Sequence, residues 1–262
     1  LWSNLFIAFV FVIIIFLSFA YAVITIVRQK KVSVMKNDFI NNMTHEIKTP
    51  ISTISLACEA LNDKDIQKSD VLYQNYINVI NEENRRLGNL TERILQSATL
   101  EKGEILLKME EVDIHEVIEE AINNIKLKKK KKGGRIIKKL KAENNIIHAD
   151  KVHITNVIFN LLDNANKYSR ETPEIVVATE NSYSGLLISV KDNGPGISKS
   201  NQKRIFEKLY RIPTGNIHNV KGFGLGLSYV KTIVEKHGGR ITLESELNKG
   251  SKFIIYLPVD RP

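Results

Sequence analysis

The chain has one cysteine, Cys58, in 262 residues. A single thiol excludes an internal disulfide and a cysteine metal cluster, and it fits a reducing compartment. Cys58 lies four residues after Ile54 and three before Leu61, so it reads as a small buried hydrophobe on a helix face. No Gly-Lys-Ser or Gly-Lys-Thr occurs, which excludes a P-loop. There is no internal repeat. The net charge is +9, concentrated in Lys126, Lys128 to Lys132, Arg135, Lys138, Lys139 and Lys141. No aromatic residues interleave the lysines at 128–132 and no nucleic-acid-binding motif appears, so no nucleic acid is expected as a partner. A solvated face and a contact for anionic lipid remain open for this run.

Charge is missing altogether from Leu5 to Val27, 23 residues rich in Phe, Ile and Val. A helix of that length spans about 34 Å, more than the hydrocarbon core of about 30 Å. The basic residues Arg28, Lys30 and Lys31 follow the run instead of preceding it, which favours a membrane span over a signal peptide. By the positive-inside rule, everything after Val27 is cytoplasmic. The chain opens on Leu1, so residues 1–4 read as the remnant of an extracytoplasmic part.

Residues 28–34 leave room only for a short linker. Residues 35–62 and 71–99 then read as two amphipathic helices, with the polar stretch Asn62 to Asp70 between them. Phe39, Met43, Ile47, Ile51, Ile54, Cys58 and Leu61 form the first apolar stripe. Two helices alone cannot enclose a core, so the hairpin of residues 35–102 should pair with a second copy as a four-helix bundle. Gly103 reads as the residue that ends the second helix.

On the first helix, His45 lies two residues from both Met43 and Ile47, which turns its ring away from the stripe and toward water. Glu46 is adjacent, Thr49 shares the face one turn on, and Pro50 removes a backbone N–H and should kink the axis. Taken alone, the segment fits a reactive centre and a solvated surface histidine equally.

From residue 103 the texture becomes mixed α and β. Strands are expected at Ile105 to Met109, Arg135 to Lys141, Ile146 to His148, Glu174 to Thr179, Leu186 to Lys191, Arg240 to Ser245 and Lys252 to Leu257. Helices are expected from an Asp113 cap to about Lys126, from Asp150 to Tyr168, and from Leu227 to a stop at Gly238-Gly239. The order is not regular βαβ alternation, so a mixed sheet covered on one face is expected.

The helix from Asp150 carries Asn160, Asn164, Lys167 and Tyr168, which its apolar face does not explain. Amide oxygens suit Mg²⁺, a lysine suits phosphate, and a tyrosine offers a ring beside a nucleotide. Asp192-Asn193-Gly194-Pro195-Gly196 follows a strand, where a carboxylate can accept from an exocyclic amine. Gly222-Phe223-Gly224-Leu225-Gly226 leads into a helix and can present N–H groups to a phosphate. The polar stretch Ile212 to Lys221 before it reads as a mobile lid. Each piece alone is also compatible with an ordinary turn or a solvated face.

Together and in this order, the pieces resemble a bacterial sensor histidine kinase of two-component signalling. His45 to Pro50 resembles the phosphoacceptor box, Asn160 to Tyr168 the asparagine box, and Phe206 to Arg211 the phenylalanine box. Asp192 to Gly196 and Gly222 to Gly226 resemble the two glycine boxes. The resemblance implies a multidomain chain: a transmembrane helix, then an α-helical hairpin forming a dimeric four-helix bundle. An α/β sandwich ATP-binding domain with a mixed sheet, of the Hsp90 and gyrase kind, follows at 103–262. It implies His45 as nucleophile, Glu46 as its base, and Thr49 as the residue that orients water for dephosphorylating the partner.

It also implies ATP and Mg²⁺ as cofactors, with Asn164 on the metal and Asn160 nearby. Lys167 and Arg211 would face phosphates, Tyr168 would lie by the nucleotide, and Asp192 with Gly194 and Gly196 would receive the adenine. Gly222, Gly224 and Gly226 would let the lid fold, and Ser251 would keep the hydroxyl of a usual threonine. The implied partners are a second copy of the chain and a response regulator receiver domain, at the bacterial inner membrane with the kinase domains in the cytoplasm. Lys48 and Leu209 depart from the commoner arginine and phenylalanine. A nucleotide-binding scaffold or a phosphatase-dominant receptor is the competing function. The other five histidines read as structural or solvated.

Overall fold

A computed structural model describes residues 1–102, 106–128, 134–169, 172–212 and 224–259; the side chains at 89, 92, 93, 96–102 and 126–128 lie outside that description. Gly103, Ile105, the lysines at 129–132, the lid reading at 213–221 and Gly222 therefore fall outside it too. The chain divides into two compact units, Leu1–Tyr76 and Ile77–Pro262.

The first unit is dominated by α1 (Trp2–Leu61), a single helix of 60 residues. The charge-free run, the segment read as a linker and the helix carrying His45 are thus one continuous rod. No residue of its apolar run is buried within the molecule. Helix continuity through 28–34 follows from composition, since this stretch holds no glycine or proline. Pro50 lies inside α1 and is buried, and the helix continues past it. The polar stretch that follows is not all loop. Asp63 caps the short α2 (Lys64–Gln67) by accepting from the Asp65 N–H at 2.8 Å. The next helix, α3, spans Asp70–Lys102.

Cys58 is exposed, which corrects its expected burial. The buried line of α1 runs instead through Pro50 and Ala57, with Ile54 half-buried between them. Ala57 and Cys58 are successive residues, about 100° apart around the axis, so burial of one turns the other outward. Ile51, 49% exposed, is displaced from the stripe in the same way.

The second unit is built on a five-stranded sheet. Its strands are β2 (Arg135–Leu140), β4 (Glu174–Ser182), β5 (Gly185–Lys191), β6 (Arg240–Glu246) and β7 (Gly250–Pro258), ordered β2-β4-β5-β7-β6. β2 runs parallel to β4 and every other pair is antiparallel, so the sheet is mixed, as expected. β1 (Glu110–Asp113) and β3 (Ile146–Ala149) form a separate antiparallel pair. The helices α4 (Ile114–Lys128), α5 (Lys151–Tyr168) and α7 (Gly226–Lys236) supply the covering layer, and α6 (Lys199–Gln202) is a single turn.

Alternation on the strands decides which face is covered. Ile175, Val177, Leu186, Ile188, Val190, Phe253, Ile255 and Leu257 all point into the core. Ile118, Ile122, Ile154, Ile158, Leu161 and Ile233 on the helices meet them there, each at most 1% exposed. Asp113 caps α4 by accepting from the N–H groups of His115 (2.8 Å) and Glu116 (3.2 Å), as its position suggested.

The first strand differs from expectation. Residues 106–109 have no regular structure, and Leu106 is 93% exposed. The strand begins at Glu110 because Val112 is the residue that can be buried, paired with Ile147. The Lys108 N–H is drawn to the Asp150 carboxylate at 2.8 Å instead of joining a ladder.

Candidate nucleotide and phosphoacceptor sites

In the first unit, His45 is exposed on α1, Glu46 half-buried and Thr49 exposed. The Thr49 hydroxyl donates to the His45 carbonyl at 3.1 Å, which holds it against the helix one turn from the imidazole-bearing residue. Thus the structure turns the ring to water, as the spacing required.

The second unit brings the downstream residues together along α5. Asp150 starts the helix, accepting from the His153 N–H at 2.9 Å. Ile154, Val157, Ile158, Leu161, Leu162 and Ala165 bury one face, which leaves Asn160, Asn164, Lys167 and Tyr168 on the flank. Asn160 Nδ2 donates to the Asn156 carbonyl at 2.8 Å, fixing the amide. Its Oδ1 lies 3.0 Å from where a Cβ on Gly226 would stand, and Asn164 Nδ2 lies 4.0 Å from that point. A Cβ at 226 would press on the Asn160 amide, so glycine suits the first turn of α7 at this approach.

The far end of α5 meets the loop after β5. Asp192 is 7% exposed. Its Oδ1 accepts from the Gly194 N–H at 2.7 Å and the Ser251 N–H at 3.3 Å; Oδ2 takes neither bond. Burial pushes this carboxyl up from its ordinary range, against the pull of those two N–H groups. Gly194 packs under the Tyr168 carbonyl, and Gly196 packs against the Glu246 carbonyl. Ser251, buried on β7, shares a hydrogen bond with Ser245 at 3.0 Å. From Tyr168 back to Asn160 is eight residues, about 12 Å along the helix.

Lys167 is ion-paired with Asp163 at 2.6 Å. Tyr168 is 45% exposed; partial burial raises its phenol, Arg211 opposes this and Asp163 adds to it, so these three groups are neighbours. Arg211 itself is exposed.

One feature of this region is invisible in sequence. Leu209 has φ of 63°, a left-handed backbone unusual for leucine. Its N–H donates to the Gly224 carbonyl at 3.0 Å, and Gly224, at φ 70°, packs on Leu209 and Tyr210. The phenylalanine-box segment is thereby latched to the loop before α7. Phe206 packs edge-on to Phe253 at 6.4 Å, anchoring the same segment to β7. Neither contact follows from spacing, because both join residues far apart in the chain.

Among the described residues no group of three His, Cys, Asp or Glu side chains can hold a metal. Mg²⁺ keeps several waters and needs only one or two protein oxygens, and the neutral amides of Asn160 and Asn164 can supply them.

Residues 35–103 match the family described as the His Kinase A (phospho-acceptor) domain. Residues 149–261 match the histidine kinase-, DNA gyrase B-, and HSP90-like ATPase family. The sensor protein RprX of Bacteroides fragilis (strain YCH46) is 50% identical over 95% of this chain, which spans 49% of that protein's length. The solved catalytic domain of histidine kinase ThkA is 28% identical over 58% of this chain and 99% of its own, with a TM-score of 0.52. Histidine kinase ThkA in complex with response regulator protein TrrA is similar in fold, at 24% identity and a TM-score of 0.58 over 89% of this chain and 64% of that one. With its phospho-acceptor helix and its nucleotide-binding fold on one polypeptide, the chain belongs to the two-component sensor histidine kinase family.

Proposed function

We propose that this chain is the membrane-proximal and kinase part of a sensor that phosphorylates His45 from Mg-ATP and passes the phosphoryl group to an aspartate of a response regulator. The observation that carries this is the pairing, on one chain, of the exposed His45 with the Asn160, Asn164 and Gly226 flank on α5 and α7. A neutral imidazole nitrogen attacks the γ-phosphorus as the bond to the β-phosphate oxygen breaks, and ADP leaves. Glu46 orients the ring and takes its proton. Asn164, with Asn160 nearby, would hold Mg²⁺, and the first turn of α7 would offer N–H groups to phosphate. Asp192 receives the adenine amine.

The regulator partner is supported by the ThkA–TrrA complex and by the phospho-acceptor match. The hairpin of α1 and α3, with Ile51 and Leu56 exposed on α1, leaves apolar surface suited to a second copy of the chain. The charge-free run at 5–27, followed at once by basic residues, supports an inner-membrane anchor with the kinase in the cytoplasm.

Two experiments probe the finer assignments. Thr49→Ala, in the full chain held in lipid nanodiscs, is expected to slow dephosphorylation of the phosphorylated regulator at least ~10-fold with autophosphorylation kept within about twofold. Equal loss of both activities, or of neither, contradicts the water-orienting role. Because α1 is unbroken from Trp2 to Leu61, a Gly/Ser segment inserted after Lys31 interrupts the rod. Kinase output in cells is expected to become insensitive to the stimulus; an unchanged response refutes transmission through a continuous helix.

A further inference from the structure

The approach of Gly226 to Asn160 needs α7 to sit on α5 at one fixed rotation. Apolar packing alone tolerates small slips, whereas hydrogen bonds between the two helices fix their rotation through distance and direction. Two polar contacts lock the pair. At the end of α7, His237 is buried; its Nδ1 donates to the Ile233 carbonyl at 2.8 Å and its Nε2 accepts from the Asp150 N–H at 3.0 Å. Toward the start of α7, Nδ1 of His153 and Oη of Tyr229 are joined by a hydrogen bond of 2.8 Å. Their ring centroids are 6.1 Å apart. Tyr229 is only 4% exposed, so its phenol is spent inside the fold and not on solvent.

The placement of this second contact is what gives it a consequence for the site. Tyr229 lies three residues after Gly226, on the same turn of α7. His153 lies seven residues, two turns, before Asn160 on α5, so both helices present the pair and the site along the same flank. We propose that His153 and Tyr229 are a positioning pair for ATP, holding the first turn of α7 at the rotation that leaves Gly226 against the Asn160 and Asn164 amides. This inference rests on the reading of that flank as the ATP site. Neither residue touches the nucleotide; they act through Gly226 and Asn160.

Tyr229→Phe removes only the hydroxyl, keeps the ring in the core, and leaves a half-buried His153 that water can serve. In the full chain in nanodiscs, KM for Mg-ATP is expected to rise about fivefold, the equivalent of one hydrogen bond, with kcat within twofold. His153→Leu should match it. His153→Asn, which returns a polar atom to the place of Nδ1, should restore the wild-type KM. The double variant Tyr229→Phe with His153→Leu should be no worse than either single change, as required of one shared contact. An unchanged KM in Tyr229→Phe overturns the proposal. So does a joint fall of kcat and unfolding temperature with no selective effect on KM, or additive losses in the double variant. Wild-type protein assayed alongside separates the two levels: absence of acid-labile label there defeats the ATP-kinase reading itself, whereas a labelled wild type with an unaffected Tyr229→Phe defeats only the positioning pair.

Discussion

His45→Gln is expected to abolish acid-labile phosphorylation of the chain while leaving nucleotide binding within about twofold. The substitution keeps a polar side chain at an exposed position on α1, where changes alter stability by only ~0.5 kcal/mol. What it removes is the one imidazole on the acceptor helix. Three of the other five histidines are already engaged in the fold. His115 is bonded to Thr179 at 2.8 Å, His153 to Tyr229 at 2.8 Å, and both nitrogens of buried His237 are used. Burial also holds the His237 imidazole below its ordinary pKa, so it stays neutral as a structural tie. Phosphate incorporation followed on acid- and alkali-treated gels checks the expectation, with calorimetric titration of a non-hydrolysable ATP analogue as the binding control. Residual acid-labile label would place the acceptor elsewhere.

Asp192→Asn is expected to weaken ATP binding by about 10- to 100-fold without lowering the unfolding temperature. The carboxylate is buried, and Oδ1 takes the Gly194 and Ser251 N–H groups. Asparagine can still accept both through its own Oδ1, so the loop keeps its shape. Its Nδ2 would then stand where Oδ2 stands, a donor facing the adenine amine, itself a donor. A hydrogen bond to a charged acceptor contributes about 1.5–3 kcal/mol, which sets the range.

The sign of the stability effect follows from the raised carboxyl. A group whose folded pKa exceeds its unfolded value, about 3.9 for aspartate, favours folding fully below that unfolded value. The advantage is lost as pH rises through the folded pKa, so at neutral pH ionised Asp192 is a burden on the fold. Asparagine removes the burden, and the unfolding temperature should hold or rise. Titration of the analogue with Mg²⁺, beside thermal unfolding at neutral pH, decides the matter. An affinity within threefold of wild type would free Asp192 from the adenine.

Much of this was legible in the chain because local rules govern it. The Asp113 cap and the Gly238-Gly239 stop are short-range signals, and α4 and α7 begin and end where they stand, whereas the helix of the charge-free run continues through the expected linker to Leu61. The flank of Asn160, Asn164, Lys167 and Tyr168 follows from helical period alone. What spacing could not supply was pairing across the fold. The start of β1 is set by the fit of Val112 on Ile147, and the Lys108 N–H is claimed by Asp150, 42 residues away in sequence. Ala57 and Cys58 are both small and apolar at helical spacing from Ile54, and only packing shows that Ala57 is the one buried. The left-handed Leu209 answers to Gly224, and Tyr229 to His153, and neither partner is near in sequence. The glycines alone marked where backbone had to come close.

The central claim is that the nucleotide flank of α5 and α7 and the exposed histidine of α1 serve one reaction. Its most direct test is residue-level mapping of phosphate after the full chain, in nanodiscs, is incubated with γ-labelled ATP and Mg²⁺. The account predicts one labelled residue, His45, carrying a P–N bond that acid removes and alkali spares. Label on another residue, acid-stable label, or vigorous ATP turnover with no phosphoprotein at all would contradict it.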